Sequence, residues 1–310
     1  MSLSHTLAVF EALDDPAASG ETVRSLFSGM PEAEVSVQRL TSERGATDFV
    51  TVTVPGRAGK RSGGDAPTLG VIGRLGGIGA RPARIGLVSD SDGAIAAIAV
   101  ALKLAQMRAR GDILVGDVVV TTHVCPDAPV IPHHPVDHMD CPVDLETLIR
   151  LEVSEEMDAV ISIDSTKAND IINHRGIAVS PTVKEGYLLP TPPAIIRALQ
   201  RSTGRPAYVF PVTTQDITPY GNGVSHLNSI LQPSVWTEAP VIGLAVCSTA
   251  MIPGSATGGS QETDIALAVK FVIEVAKEFG AGRAPFFNSE ELSRLLALYG
   301  SLRRIQGAMA

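Results

Sequence analysis

A chain of 310 residues with 45% hydrophobic content is long enough for one large domain or two ordinary ones and apolar enough to bury a real core. Its formal net charge of -8 excludes a nucleic-acid or anionic-membrane surface, which needs a concentrated positive patch that the sequence lacks. Cys125, Cys141 and Cys247 are an odd number in a long chain, so reduced thiols are expected rather than a disulfide framework.

"MSLSHTLAVFEALDD" carries no basic leader region, and no apolar run is of membrane length, which makes a cytoplasmic setting the default expectation. The first part, to about Gly64, predicts a helix from Ser4 to about Met30, broken near Asp14, Asp15 and Pro16, then strands at Val35 to Leu40 and Phe49 to Val54. "GRAGKRSGGDAP" reads as an exposed loop. From Thr68 onward short apolar runs alternate with helical patterns: "LGVIG", "RIGLVS", a helix, "DVVVTT", a loop, a helix near Leu145 to Met157, "AVISID", then "AYVFPV", "VIGLAV" and a helix from Asp264 to Phe279. Aromatic residues are only 4% while Gly numbers 29 and Pro 21, as in α/β proteins. The reading is a single α/β domain over 1–310, a three-layer α/β/α sandwich on a mostly parallel mixed sheet, with 1–64 packed on a main body of 68–310.

After Asp92, Ile95, Ile98, Leu102 and Ala105 fall on one helical face, with Gly111 as a stop. A second helix starts at Thr191 with Pro192 and Pro193 in its first turn and ends at Gly204. The last, Ser289 to Arg304, is an arm for packing or for oligomerisation, and a homo-oligomer is expected.

In parallel-sheet proteins ligands bind beyond the carboxyl ends of the strands. "RIGLVS" is followed by Asp90, "DVVVTT" by His123 and "AVISI" by Asp164, two carboxylates and an imidazole that would suit zinc or manganese. Each has a plainer reading. Asp92 directly precedes the helix and serves as its N-cap, Asp90 is a ligand or a turn residue, and His123 is a ligand or an ordinary hydrogen-bonded histidine. Asp164 ends an apolar run, where a buried carboxylate without a purpose is costly.

"HVCPDAPVIPHHPVDHMDCPVD" concentrates His133, His134 and His138 with Cys125, Cys141, Asp127, Asp137 and Asp140 in a stiff proline-rich loop. No established zinc spacing occurs in it. "GVIGRLGGIGARP" is glycine-rich, yet Pro82 rather than a helix follows, so a phosphate cradle gives way to close backbone passage, with Arg74 or Arg81 available for a carboxylate. Cys247 is a buried thiol or a nucleophile lacking a visible base.

On "GVIGRLGGIGARP", "GLVSDSDGA" and "PHHPVDHMDCPVD" the chain resembles a bacterial family of unknown function, domain of unknown function 1177. More distantly, the order of elements from Leu69 to Phe279 resembles the co-catalytic zinc aminopeptidases and their amidohydrolase relatives. That resemblance implies a phosphorylase/hydrolase-like fold, a bridging aspartate at Asp90 and a zinc-binding acid at Asp164. His123 and Val124 stand where the superfamily has paired glutamates, Arg74, Leu75 and Gly76 where it has His-x-Asp, and "CSTAMIPGS" offers no final histidine.

Two readings stay open. In one, a single-metal hydrolase of a small amide or peptide-like substrate uses Asp90, Asp164, His123, His133, His134 and His138 as ligands. His123 and Asp92 act in catalysis, the metal activates water, and Arg74, Arg81 or Lys167 holds a substrate carboxylate. In the other, the chain is a metal-free binding or regulatory protein.

Overall fold

The computed structural model describes residues 2–132, 137–166, 173–212, 229–250 and 259–303, with the side chain of His138 excluded. An eight-stranded mixed sheet forms its centre, flanked by helices on both faces in an α/β/α arrangement. In chain order the strands are β1 (Glu34–Ser42), β2 (Gly45–Val54), β3 (Leu69–Gly73), β4 (Val118–Val124), the short β5 (Val130–Ile131) and β6 (His138–Met139), β7 (Ala159–Thr166), β8 (Gly176–Lys184), β9 (Tyr187–Leu189) and β10 (Val241–Cys247). The sheet order is β1-β2-β4-β3-β7-β10-β8-β9, and β5 pairs with β6 separately. Its centre, β4-β3-β7-β10, is parallel, while both flanks pair antiparallel. The parallel strands are buried along their length, as strands covered on both faces must be, and they read in sequence as continuous apolar runs.

One face is covered by α1 (Ser2–Leu13), α3 (Ser91–Ala109), α5 (Pro193–Thr203) and α6 (Glu262–Gly280), which share a single apolar cluster with the sheet. α3 is buried almost all round because the sheet lies on one side of it and α1 and α6 on the other. The opposite face is thinner: α4 (Leu145–Glu152) and a 3-10 turn (Ser229–Val235) cover a smaller cluster around Ile72, Val160 and Leu231. Caps follow local chemistry. Ser19 and Thr22 form a capping box on α2 (Gly20–Leu26), Asp144 accepts from Thr147 N at the start of α4, and α5 has Pro at its entry and Gly204 in the left-handed region at its exit. Asn288 caps α7 (Ser289–Tyr299), of which only Leu292 is buried.

Two expectations need correction, and one element was not foreseen. "RIGLVS" is not a strand: Gly86 adopts φ 78° within it, and the chain passes from β3 through an irregular loop directly into α3. "AYVFPV" contributes a bridge between Val209 and Val179 instead of a strand. The unforeseen hairpin β8–β9 turns at Glu185 and Gly186, both with positive φ. β1 and β2 join the main sheet through β4. Among the described residues no helix is long and apolar enough to cross a membrane.

Candidate functional site

Register brings the sequence-predicted residues to the carboxyl edge of the parallel strands. β3 runs between β4 and β7, with Ile72 opposite Thr121 and Gly73 opposite Ile163. One residue further on, Arg74 stands level with His123 and Asp164, and its N–H still donates to Ile163 O at 2.8 Å. Side chains alternate along a strand. Thr121 donates to Glu152 O in α4, so His123 shares the α4 face with it; Arg74 and Asp164 face the same layer through Glu152 and Ser229. His123 and Asp164 are therefore two strands apart, about 10 Å by sheet spacing, with Arg74 between them.

Arg74 is fully buried. Its guanidinium donates to Glu152 Oε2 at 2.6 Å and to Gln232 Oε1 at 2.8 Å. Burial pushes the Glu152 carboxyl up from its ordinary value, against the attraction and hydrogen bond of Arg74. The arginine foreseen as a hold for a substrate carboxylate thus holds a carboxylate of its own chain. Arg81, the second candidate, bonds to Asp14 and Pro126 O. Lys167 lies outside the described residues.

His123 is enclosed by protein partners. Nε2 lies 2.5 Å from Leu75 O and Nδ1 lies 2.8 Å from Thr47 Oγ1. A carbonyl only accepts, so Nε2 carries the proton, while the Thr47 hydroxyl beside Nδ1 also reaches Val124 O at 3.0 Å. Desolvation, with the nearby positive charge of Arg74, lowers the imidazole to about 4, although the Leu75 hydrogen bond works the other way. The glycine loop closes over the ring: a Cβ at Gly76 would lie 2.0 Å from His123 Cδ2, and Gly76 has φ 82°, so that turn needs glycine on both counts.

α3 begins at Ser91, with Asp90 in the N-cap position but in helical conformation and without a side-chain capping bond. The assignment of the cap to Asp92 is thereby corrected. Asp92 is buried in the first turn and accepts from Ser260 Oγ. Gly93 lets this turn seat on the strand ends: a Cβ there would meet Arg74 O at 2.1 Å and Ile163 O at 2.5 Å. Gly93→Ala is expected to lose at least about 1–3 kcal/mol in a denaturant melt, since both obstacles are backbone and cannot step aside. A neutral substitution would mean that α3 docks differently.

Asp164 accepts from Ser229 Oγ at 2.6 Å through Oδ2 and from Ser165 N at 2.7 Å through Oδ1. Asp90 and His123 meet in a cavity of about 120 Å³, walled by Leu75, Met139, Cys141, Val143, Leu145 and Leu148, with the Arg44–Asp140 ion pair also in its lining. The proline-rich loop forms part of this cover. Cys125 O accepts from Ile78 N and Gly79 N, Ala80 bridges Asp127, and Arg84 pairs with Asp137 at 2.8 Å. Burial pushes the Cys125 thiol up to about 12 and the Cys141 thiol up to about 11, so neither is a ready thiolate. Cys247 is buried at the end of β10. His133, His134 and the side chain of His138 lie outside the described residues.

A divalent cation between His123 and Asp164 does not fit these groups. The fully buried Arg74 guanidinium stands between them, and the imidazole nitrogens and Asp164 oxygens each lie within hydrogen-bond distance of a protein group. Among the described residues no group of three or more His, Cys, Asp or Glu side chains is placed to hold a metal ion. Sequence reasoning missed Glu152, Gln232 and Ser229, which lie on the covering layer, distant in sequence from the residues they hold.

The sequence pattern of the protein of unknown function DUF1177 matches residues 38–309. The chain belongs to that family. Among solved structures, this DUF1177 protein is similar to a glutaminyl cyclase from an Acidobacteriales bacterium, with 13% identity, TM-score 0.51, and coverage of 91% of this chain and 94% of that one. A mutant tomato leucine aminopeptidase is similar with 11% identity and TM-score 0.48; the match covers 89% of this chain and spans 60% of the aminopeptidase chain. The likeness to the cyclase is one of fold. No curated protein matches the sequence.

Proposed function

We propose that this protein binds a small organic molecule in the cavity beside Asp90 and His123, as a metal-free binding or regulatory protein on a hydrolase-type fold. The observation that carries this reading is the buried Arg74 guanidinium, paired with Glu152, which occupies the place between His123 and Asp164 where a shared metal ion would have to lie. A second cation there would face like charge at short range in a poorly hydrated site. The cavity itself combines apolar walls with the Asp90 carboxylate and the Arg44–Asp140 ion pair. That lining suits a small apolar body bearing an amine or another hydrogen-bond donor. At about 120 Å³ it accepts a side chain or a ligand of a few heavy atoms, less than the roughly 300–1,000 Å³ of drug-sized sites.

A second reading, a metal-dependent hydrolase of small amide or peptide-like substrates using zinc or manganese, is favoured by the fold shared with the glutaminyl cyclase and by acidic residues at the carboxyl edge. Elemental analysis of the purified protein separates the two. The metal-free reading expects substoichiometric zinc and manganese and no change in melting temperature when either is added. It also expects Asp164→Asn to cost about 1 kcal/mol through the bonds to Ser229 and Ser165, with no change in metal content. One tightly held metal ion per chain, lost in Asp164→Asn, would reverse the order of the two readings.

A further inference from the structure

Among the described residues, a cavity larger than the one at Asp90 lies at the other edge of the sheet. About 590 Å³ opens at the amino ends of β7 and β10, between the segment that leaves α4, the segment that leaves the 3-10 turn, and Arg303. Its volume falls within the range of small-molecule sites. Its lining is charged in both senses: Arg150 and Arg303 bring guanidinium groups, Glu155 and Glu238 carboxylates, and Trp236 and Met157 apolar surface.

The two arginines are held in place. Arg150 lies 4.2 Å from the centroid of the Trp236 ring and pairs with Glu146 at 2.6 Å. Arg303 pairs with Glu238 at 3.0 Å and donates to Thr237 O at 3.0 Å. Each guanidinium has five N–H donors, and these bonds leave some of them for a further acceptor such as a carboxylate. Glu155 is exposed at the same rim and offers a partner for an ammonium group. Trp236 is half-buried and presents an aromatic surface to an apolar side chain.

We infer that this cavity is a binding site for a free amino-acid zwitterion with an apolar side chain: carboxylate toward Arg150 and Arg303, ammonium toward Glu155, side chain against Trp236 and Met157. The site is distinct from the cavity at Asp90. Its walls nevertheless belong to the segments that fix the opposite edge, since Glu152 and Gln232 hold Arg74 and Ser229 holds Asp164. A ligand bridging α4 and the 3-10 turn would brace both sets of contacts.

Trp236 is the chain's sole tryptophan, so its emission reports on this cavity alone. The full-length protein is titrated with L-leucine, with isocaproate, which lacks the amine, and with isoamylamine, which lacks the carboxylate. Tryptophan fluorescence and isothermal titration calorimetry are read in parallel. The expected result is saturable binding of leucine, weakened roughly tenfold or more when either charged group is missing. Arg150→Met should remove the preference for leucine over isoamylamine, and Glu155→Gln the preference for leucine over isocaproate. Both side chains are exposed, so these variants are expected to fold, which far-ultraviolet circular dichroism checks. Neither heat nor a saturable emission change with leucine overturns the inference. So does isocaproate or isoamylamine binding as tightly as leucine, or variants indistinguishable from wild type.

Discussion

Arg74→Met is expected to cost about 3–5 kcal/mol of stability in urea or thermal unfolding, because it leaves the buried Glu152 carboxylate without its countercharge. Arg74 is 0% exposed and Glu152 2%, so water cannot substitute for the lost partner. Burial already pushes the Glu152 carboxyl up, and in the variant nothing opposes it. A carboxyl whose folded value is raised contributes stability at low pH that is lost as pH rises through that value. The defect of Arg74→Met should therefore be smallest in acid and grow toward neutrality. The double variant Arg74→Met with Glu152→Met removes both charges and keeps similar volume. It is expected to recover most of the loss, with a residue of about 1 kcal/mol for the bond that Gln232 no longer makes. A single variant costing less than about 1 kcal/mol, or a double variant no better than the single, would mean that this pair does not tie α4 to the end of β3.

The second large effect is on pH dependence. His123 is held to about 4 in the folded protein against an ordinary 6.5, so the unfolded chain takes up the proton first. Stability contributed by the neutral ring is complete above 6.5, declines as pH falls, and is exhausted near 4. The gap corresponds to about 3 kcal/mol. His123→Gln keeps a donor toward Leu75 O but cannot titrate. The stability difference between wild type and this variant is expected to shrink by about that amount between pH 6.5 and pH 4. Curves that stay parallel across this window would show that His123 is solvated or already charged in the native state.

How far these features were legible depended on the range of the interaction that makes them. The runs "LGVIG", "DVVVTT", "AVISID" and "VIGLAV" announce buried parallel strands because strands covered on both faces need unbroken apolar sequence. The helix behind Pro192 and Pro193, and its stop at Gly204, follow from backbone chemistry alone. "RIGLVS" misled because apolar content is only half of a strand: Gly86 at φ 78° takes the chain out of the extended region, and no neighbouring strand claims it. "SDSDG" offers several residues able to begin a helix, and packing of Gly93 against Arg74 and Ile163 accompanies the start at Ser91. The hairpin β8–β9 had a signal in "KEGY", two positive-φ positions between β-rich runs.

What the sequence by itself determined about this protein is its alternation of parallel strands and helices, and with it the carboxyl edge at which His123 and Asp164 stand. Periodicity and turn chemistry are local, and the polarity of a parallel strand then assigns its last residues to one edge. What only the tertiary structure decided is what those residues do there. Glu152, Gln232 and Ser229 reach Arg74 and Asp164 across 78, 158 and 65 positions of chain, and Thr47 reaches His123 across 76. A buried charge or imidazole takes its character from whichever groups desolvate and bond to it, and those arrive from layers that the sequence does not place side by side.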